Sequence, residues 1–163
     1  MNKKCVFAGT FDPPTTGHLK VIETSLKLFD EVVVAVMINA QKQPLLSENE
    51  RCALLEKLFK DNPRVKVITF EGAVVDLLKR ENTKFYVRGV RNTIDFEYEN
   101  MNMFANKKLM DDIVTIYIPA EQDSLHISST LVKNSIKFKK QYCEYIPEAI
   151  LPELLKILEK KDV

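Results

Sequence analysis

The chain has 163 residues, of which 45% are hydrophobic and 29% charged, as expected for one ordinary globular domain over 1–163. The 24 Lys and Arg residues nearly balance 23 Asp and Glu residues, and the resulting net charge of +1 argues against a generally basic surface for nucleic acid or membranes. No apolar run is long enough to cross a bilayer, and no targeting segment is visible, so we expect a cytoplasmic protein without nucleic-acid or membrane partners.

Strand-like and helix-like segments alternate along the chain, which predicts an α/β fold. The predicted strands are the short apolar runs 5–8, 32–38, 65–70, 85–87 and 114–118. The predicted helices are an amphipathic segment from Leu19 to Phe29, one that begins at the capping box Ser47–Glu50, the segments 73–79 and 94–110, and two that begin at Ser129 and Pro147. Right-handed crossovers then give a doubly wound, five-stranded parallel sheet of the Rossmann-like kind. Ligands bind such sheets outside the carboxyl ends of the strands, so we expect functional residues directly after each strand.

The most informative segment is Gly9–His18, which follows the first predicted strand and leads into the first predicted helix. Gly9 and the Pro13-Pro14 pair predict a tight turn, with Gly9 as the residue that permits a positive φ. Thr15 is predicted to cap the helix, which would place His18 where free N–H groups and the positive end of the helix dipole attract anions. In the alternative interpretation, His18 only packs or caps in an ordinary turn. Because the chain has two histidines and one stands here, we favour a phosphate site.

Two arginines, Arg88 and Arg91, flank Gly89 at the end of the fourth predicted strand. Their planar guanidinium groups suit phosphate oxygens, and a glycine lets the backbone approach a ligand closely. Alone they would be typical of a solvated loop, but they are predicted at the same sheet edge as His18. Lys42, which follows the second predicted strand, is expected to contact an anion for the same reason.

The run Ile127–Thr130 precedes a predicted helix and carries three hydroxyl groups. Such hydroxyls either only cap the helix or also bind a pyrophosphate beside its free N–H groups, and the segment alone leaves both interpretations open. The acidic and aromatic run 95–99 is explained by an amphipathic helix with an acidic face.

These motifs together resemble the phosphopantetheine adenylyltransferase family, one of the nucleotidyltransferases with a (Thr/His)-x-Gly-His signature. The resemblance covers nearly the whole chain, and the run Arg-Gly-x-Arg followed by Asp-Phe-Glu-Tyr-Glu is specific to the family. The motifs that carry it are Gly9-Thr10-Phe11-Asp12-Pro13, Thr15-Thr16-Gly17-His18, Lys42-x-Pro44, Arg88-Gly89-Val90-Arg91, Asp95-Phe96-Glu97-Tyr98-Glu99, Asn106 and Ile127-Ser128-Ser129-Thr130.

The resemblance implies transfer of AMP from ATP to 4′-phosphopantetheine, which gives 3′-dephospho-coenzyme A and pyrophosphate in coenzyme A biosynthesis. It also implies Mg²⁺ and a homohexamer. The acceptor phosphate is itself a competent nucleophile, so we expect direct in-line attack without a covalent intermediate. The catalytic residues would be Thr10, His18, Lys42 and Arg91. The ATP side would comprise Thr10, Phe11, His18, Gly89, Val90, Arg91, Glu99, Ser124, Leu125, His126, Ile127, Ser128, Ser129 and Thr130. The phosphopantetheine side would comprise Thr10, Lys42, Val74 and Arg88.

The sequence departs from the family pattern at Ser124-Leu125-His126, where members usually carry an aromatic pair. His126 therefore either replaces an aromatic ring or contacts phosphate. Two alternative functions are a nucleotidyltransferase with a nicotinamide mononucleotide or phosphocholine-type acceptor, and a nucleotide-binding module without chemistry. The run 95–99 argues against the first, and the presence of every expected cationic residue argues against the second.

Overall fold

The apolar runs form a five-stranded sheet in the computed structural model, which describes residues 3–38 and 43–162. All neighbouring strands are parallel, in the order β3-β2-β1-β4-β5. The strands are β1 (Lys4–Gly9), β2 (Glu31–Ile38), β3 (Val65–Glu71), β4 (Phe85–Val90) and β5 (Val114–Pro119). The predicted doubly wound α/β fold is therefore confirmed.

Within the described ranges, four helices connect successive strands and two more follow the last strand. They are α1 (Thr16–Leu28), α2 (Glu48–Leu58), α3 (Val74–Arg80), α4 (Thr93–Leu109), α5 (Ser129–Lys137) and α6 (Leu151–Lys160). The predicted cap at Thr15 and the capping box at Ser47 are both present. The last helix begins at Leu151 rather than at Pro147. Pro152 explains the difference, because a proline fits only the first turn of a helix, where its missing N–H has no partner to lose.

The central strands are buried on both faces, as a parallel sheet requires. Residues 32–36 of β2 are 0% exposed. One face packs against α1 and α2 through Ile22 and Leu55, and the other packs against α3 through Leu77. A third apolar cluster, which includes Leu54 and Val132, joins α2 to α5 and α6 beyond the sheet. This cluster fixes the beginning of α5 beside the carboxyl ends of the strands.

The strand order places a crevice at the carboxyl ends of β1 and β4. The chain runs outward from β1 through β2 to β3 and then returns to the other side of β1 as β4, so this is the point where the winding reverses. Phe7 of β1 is paired with Val87 of β4, which brings the turn after β1 beside the end of β4. No helix in the described part of the chain has the length and apolar character needed to span a membrane.

Candidate active site

A cleft of about 320 Å³ lies at this crevice, between the turn after β1, the end of β4, the first turns of α4 and the beginning of α5. Most of the residues predicted for a site line it. These are Thr10, Phe11, His18, Arg88, Gly89, Val90, Arg91, Glu99, Ser124, Ile127, Ser128, Ser129 and Thr130. Widely separated segments of the sequence therefore meet in one place, as their positions after parallel strands predicted.

Three predicted residues lie outside the cleft. Leu125 and His126 are exposed and do not line the cleft, and the ring of His126 packs edge-on against Tyr145 with 5.4 Å between centroids. Val74 is the half-buried first residue of α3 and packs against the sheet outside the cleft. Lys42 lies outside the described residues.

The turn after β1 uses a different residue from the predicted one for its left-handed step. Phe11 has φ +52°, whereas Gly9 does not adopt a positive φ, so that prediction for Gly9 was wrong. A Cβ at Gly9 would lie 3.2 Å from the ring of Phe11. The glycine is needed because the buried Phe11 ring folds back over it, and this packing stabilises the turn against the strain at Phe11.

His18 is held by the first turn of α1. The main-chain N–H of Thr15 donates to Nδ1 of His18 at 3.0 Å, and the Thr15 hydroxyl accepts from the His18 N–H at 3.4 Å. Because Nδ1 acts as an acceptor, the proton of the neutral ring lies on Nε2. The ring also packs edge-on against Phe11, with 4.8 Å between centroids.

The charge state of His18 follows from its surroundings. Burial lowers its pKa to about 4, with further lowering by the positive charges of Arg88 and Arg91. The ring is therefore neutral near pH 7, and in the cleft it offers an N–H donor rather than a cation.

Arg88 lies within β4, since the strand runs on to Val90. Its guanidinium donates to the carbonyl of Ala8 in β1 and is paired with the carboxylate of Glu99. Its Nε is buried and has no partner among the described residues. A buried N–H without a partner is costly, so this donor is suited to a ligand in the cleft.

Arg91 is held by α4, the helix that also carries Glu99. Its Nε and Nη2 donate to the two oxygens of Asp95 at 2.8 and 3.2 Å, and Nη1 approaches the carbonyl of Ile127 at 3.5 Å. This arginine lowers the pKa of Asp95 below its usual value by hydrogen bonding. Asp95 and Glu99, one turn apart on α4, thus orient the two arginines.

Sequence reasoning assigned the run 95–99 to an acidic helix face and missed this role of Asp95. A local signal was available, because Arg91 and Asp95 are four residues apart, the spacing of an ion pair across one helical turn.

Two hydroxyls of the run Ile127–Thr130 have protein partners. Ser128 caps α5, where its Oγ accepts from the N–H of Leu131 at 3.0 Å. Ser129 donates its hydroxyl to the carbonyl of Pro13 at 2.9 Å and so joins the motif to the turn after β1. The groups left for an anion at this end of the cleft include the first N–H groups of α5, which have no helical acceptor.

The cleft as a whole presents donors to an anion from several sides: the beginnings of α1 and α5, the neutral His18 ring and the two guanidinium groups. Its carboxylates, Asp95 and Glu99, face arginines. No group of three or more His, Cys, Asp or Glu residues arranged for a metal occurs within 3–38 and 43–162. This donor set does not fit a resident metal centre, but it does fit a polyphosphate.

Most of the chain is similar in sequence to known proteins. The family model for cytidylyltransferase-like proteins matches residues 6–135. A phosphopantetheine adenylyltransferase of Francisella tularensis subsp. mediasiatica is 41% identical over 155 residues, which cover 94% of this chain and 96% of the relative. Those of Lachnoclostridium phytofermentans and Flavobacterium johnsoniae are 39% and 38% identical, and the matches cover 90% and 91% of this chain and 90% and 97% of the relatives. The chain therefore belongs to the phosphopantetheine adenylyltransferase family of nucleotidyltransferases.

Proposed function

We propose that this chain transfers AMP from ATP to 4′-phosphopantetheine, with 3′-dephospho-coenzyme A and pyrophosphate as products. The observation that carries the proposal is the convergence of a neutral His18, Arg88 and Arg91 on one cleft at the switch point of the sheet. Family membership supplies the acceptor, because the relatives are named for this reaction.

The proposed chemistry is a single in-line displacement. The acceptor phosphate attacks the α-phosphorus of ATP while pyrophosphate departs, so no proton has to be removed from the nucleophile. A histidine with a pKa of about 4 suits this scheme, because it is a poor base at neutral pH but a good neutral donor. Its Nε2–H would stabilise the charge that develops on the oxygens of the α-phosphate, and Thr10 would assist it.

The remaining anionic groups are assigned as the family resemblance implies. Arg91 and the beginning of α5 would hold the β- and γ-phosphates, whereas Arg88 and Lys42 would hold the phosphate of the acceptor. Glu99 would act through Arg88, whose guanidinium it orients. The protein's contribution is to align two anions that repel each other.

Magnesium, oligomerisation and location belong to the same proposal. Mg²⁺ would arrive bound to the phosphates of ATP, since this ion usually keeps several waters and binds through substrate phosphates. Exposed apolar residues at helical spacing on α4, namely Ile94, Met101 and Phe104, support burial of this helix in an assembly, which we propose to be a homohexamer. The proposed location is the cytoplasm.

The acceptor decides between this function and its alternatives. Purified chain with ATP and Mg²⁺ should release pyrophosphate with 4′-phosphopantetheine and essentially none with unphosphorylated pantetheine, nicotinamide mononucleotide or phosphocholine. A site whose cations are arranged to bind a phosphate binds an analogue that lacks this phosphate far more weakly. Preference for nicotinamide mononucleotide would contradict the acceptor but not nucleotidyl transfer. ATP binding without turnover on any acceptor would favour a binding module.

A further inference from the structure

Arg51 is a buried arginine at the edge of the site, and its hydrogen bonds to the described residues all go to main-chain carbonyls. It lies on α2 and is 3% exposed. Nη1 donates to the carbonyl of Thr10 at 2.7 Å and approaches that of Met37 at 3.5 Å, while Nε donates to that of Ser47 at 3.3 Å. One side chain thus joins the turn after β1, the end of β2 and the beginning of α2.

Asp12 makes the complementary connection from the same turn. Its carboxylate is 1% exposed and accepts from the N–H groups of Leu45 and Leu46, both at 2.9 Å. Lys133 of α5 lies 3.3 Å from it and balances its charge. Arg51 therefore donates to the turn that carries Thr10, and Asp12 of the same turn accepts from the segment before α2. Hydrogen bonds of opposite direction thus join this turn to α2 and to the segment before it.

These contacts fix both flanks of the stretch 39–42, which contains Lys42. Met37 precedes the stretch and is approached by Arg51, and Leu45 follows it and is held by Asp12. The described residues on either side of the stretch are therefore both anchored, Met37 by Arg51 and Leu45 by Asp12.

Arg51 also brings an uncompensated charge. In the described part of the chain it forms no ion pair with an acidic side chain, and the stretch 39–42 contains no acid. Carbonyl dipoles satisfy its N–H groups but leave its unit of positive charge intact. This charge lies one hydrogen bond from Thr10, in a region where burial weakens screening.

We propose that Arg51 is a positioning residue of the transfer step, which holds Thr10 and the flanks of the Lys42 stretch in reactive geometry and favours binding of the anionic acceptor through its charge. The inference rests on the proposed function and extends it to a residue outside the cleft. It separates two contributions: the bridge between carbonyls, which acts on kcat, and the charge, which acts on the KM of the acceptor.

The chain offers a control with the same bonding pattern. The guanidinium of Arg64 also donates to main-chain carbonyls, those of Leu26, Phe29 and Asp30 at 2.6, 2.7 and 3.0 Å. It lies immediately before β3, at the amino edge of the sheet and therefore opposite the cleft. It is also exposed. Because it lies at the opposite edge of the sheet, its replacement removes a bridge between carbonyls at a distance from the site.

The experiment compares Arg51→Met, Arg51→Lys and Arg64→Met with the parent. Calorimetric titration with ATP gives the fraction of binding-competent protein, and kcat is expressed per competent site, so that partial unfolding does not count as lost catalysis. Arg51→Met should lower kcat roughly 10²-fold, the loss expected for a misplacement of about 1 Å, and raise the acceptor KM about tenfold. Arg51→Lys should restore the acceptor KM more than kcat, because it keeps the charge but cannot bridge the carbonyls. Arg64→Met should leave both parameters within about threefold of the parent.

The outcomes separate this inference from the proposed function. A kcat for Arg51→Met within about threefold of the parent, or an equal loss in Arg64→Met, would reduce Arg51 to a structural role. An unchanged acceptor KM in Arg51→Met would overturn the charge contribution. A parent protein that binds ATP but forms no 3′-dephospho-coenzyme A would overturn the proposed function itself.

Discussion

The main-chain N–H of Thr15 donates to Nδ1 of His18 at 3.0 Å, and this contact determines which ring nitrogen is left for a ligand. An N-cap residue normally receives a contact from an acidic or amide side chain three residues later, and here a histidine takes that position. The capping-box partner of Thr15 and the proposed catalytic donor are therefore the same side chain, so the geometry of the donor is set by local helix formation rather than by distant packing.

The titration of His18 is the first prediction. Burial lowers its pKa to about 4, below the value of about 6.5 in an unfolded chain, so the folded protein resists protonation of this ring. The unfolded state takes up this proton first as the pH falls from about 6.5 towards 4, and the stability contribution of His18 is lost over that window. Proton NMR of the ligand-free protein should show a neutral His18 throughout about pH 6 to 8, with His126→Gln used for assignment. A midpoint near 6.5 would contradict the proposed charge state.

Removal of the imidazole should damage turnover more than ATP binding. His18→Ala loses a preorganised donor aimed at the α-phosphate, which should cost about 3–4 kcal/mol or 10²–10³ in kcat. Steady-state kinetics and calorimetric titration with ATP measure the two effects on the same preparation. Turnover within about threefold of the parent would remove His18 from the mechanism.

Gly89 should tolerate no side chain, for a reason of packing. A Cβ there would lie 2.8 Å from Cγ2 of Val21 on α1, and the stiff valine cannot move away cheaply. Gly89→Ala should lower the free energy of unfolding by about 1–3 kcal/mol, as measured by urea denaturation. Gly17→Ala is the matched control, because its Cβ would meet only the Thr15 hydroxyl at an ordinary 3.5 Å. Equal stability of the two variants would show that the contact between α1 and β4 is not restrictive.

His126 should behave as an aromatic ring rather than as a phosphate ligand. It packs edge-on against Tyr145 outside the cleft, so His126→Phe preserves the contact and should leave kcat and the KM for ATP nearly unchanged. His126→Ala provides the comparison, since it removes the ring. If His126→Phe instead weakened ATP binding, the imidazole would be a phosphate contact after all.

Local sequence signals predicted the fold and most of the cleft. Continuous apolar runs such as 32–36 mark strands buried on both faces, and caps such as Thr15 and Ser47 mark helix starts. Because parallel strands end at one edge of a sheet, segments after different strands could be grouped without knowledge of any contact.

The remaining features depend on contacts between distant residues. Arg51 is hydrogen-bonded to Thr10, and Asp12 to Leu45, although each pair is more than thirty residues apart in the chain. No periodicity in the sequence predicts either contact. The positive φ of Phe11 likewise depends on the packing of its ring over Gly9. Backbone propensity alone predicts the positive φ at Gly9 instead.

Direct transfer of AMP between two phosphates is tested most directly by the configuration at the α-phosphorus. A single in-line displacement inverts this centre, whereas a covalent nucleotidyl intermediate requires two displacements and retains it. With one diastereomer of adenosine 5′-O-(1-thiotriphosphate) and 4′-phosphopantetheine, phosphorus NMR of the product should show the thio analogue of 3′-dephospho-coenzyme A with inverted configuration. Retained configuration, or pyrophosphate release without this product, would contradict the account.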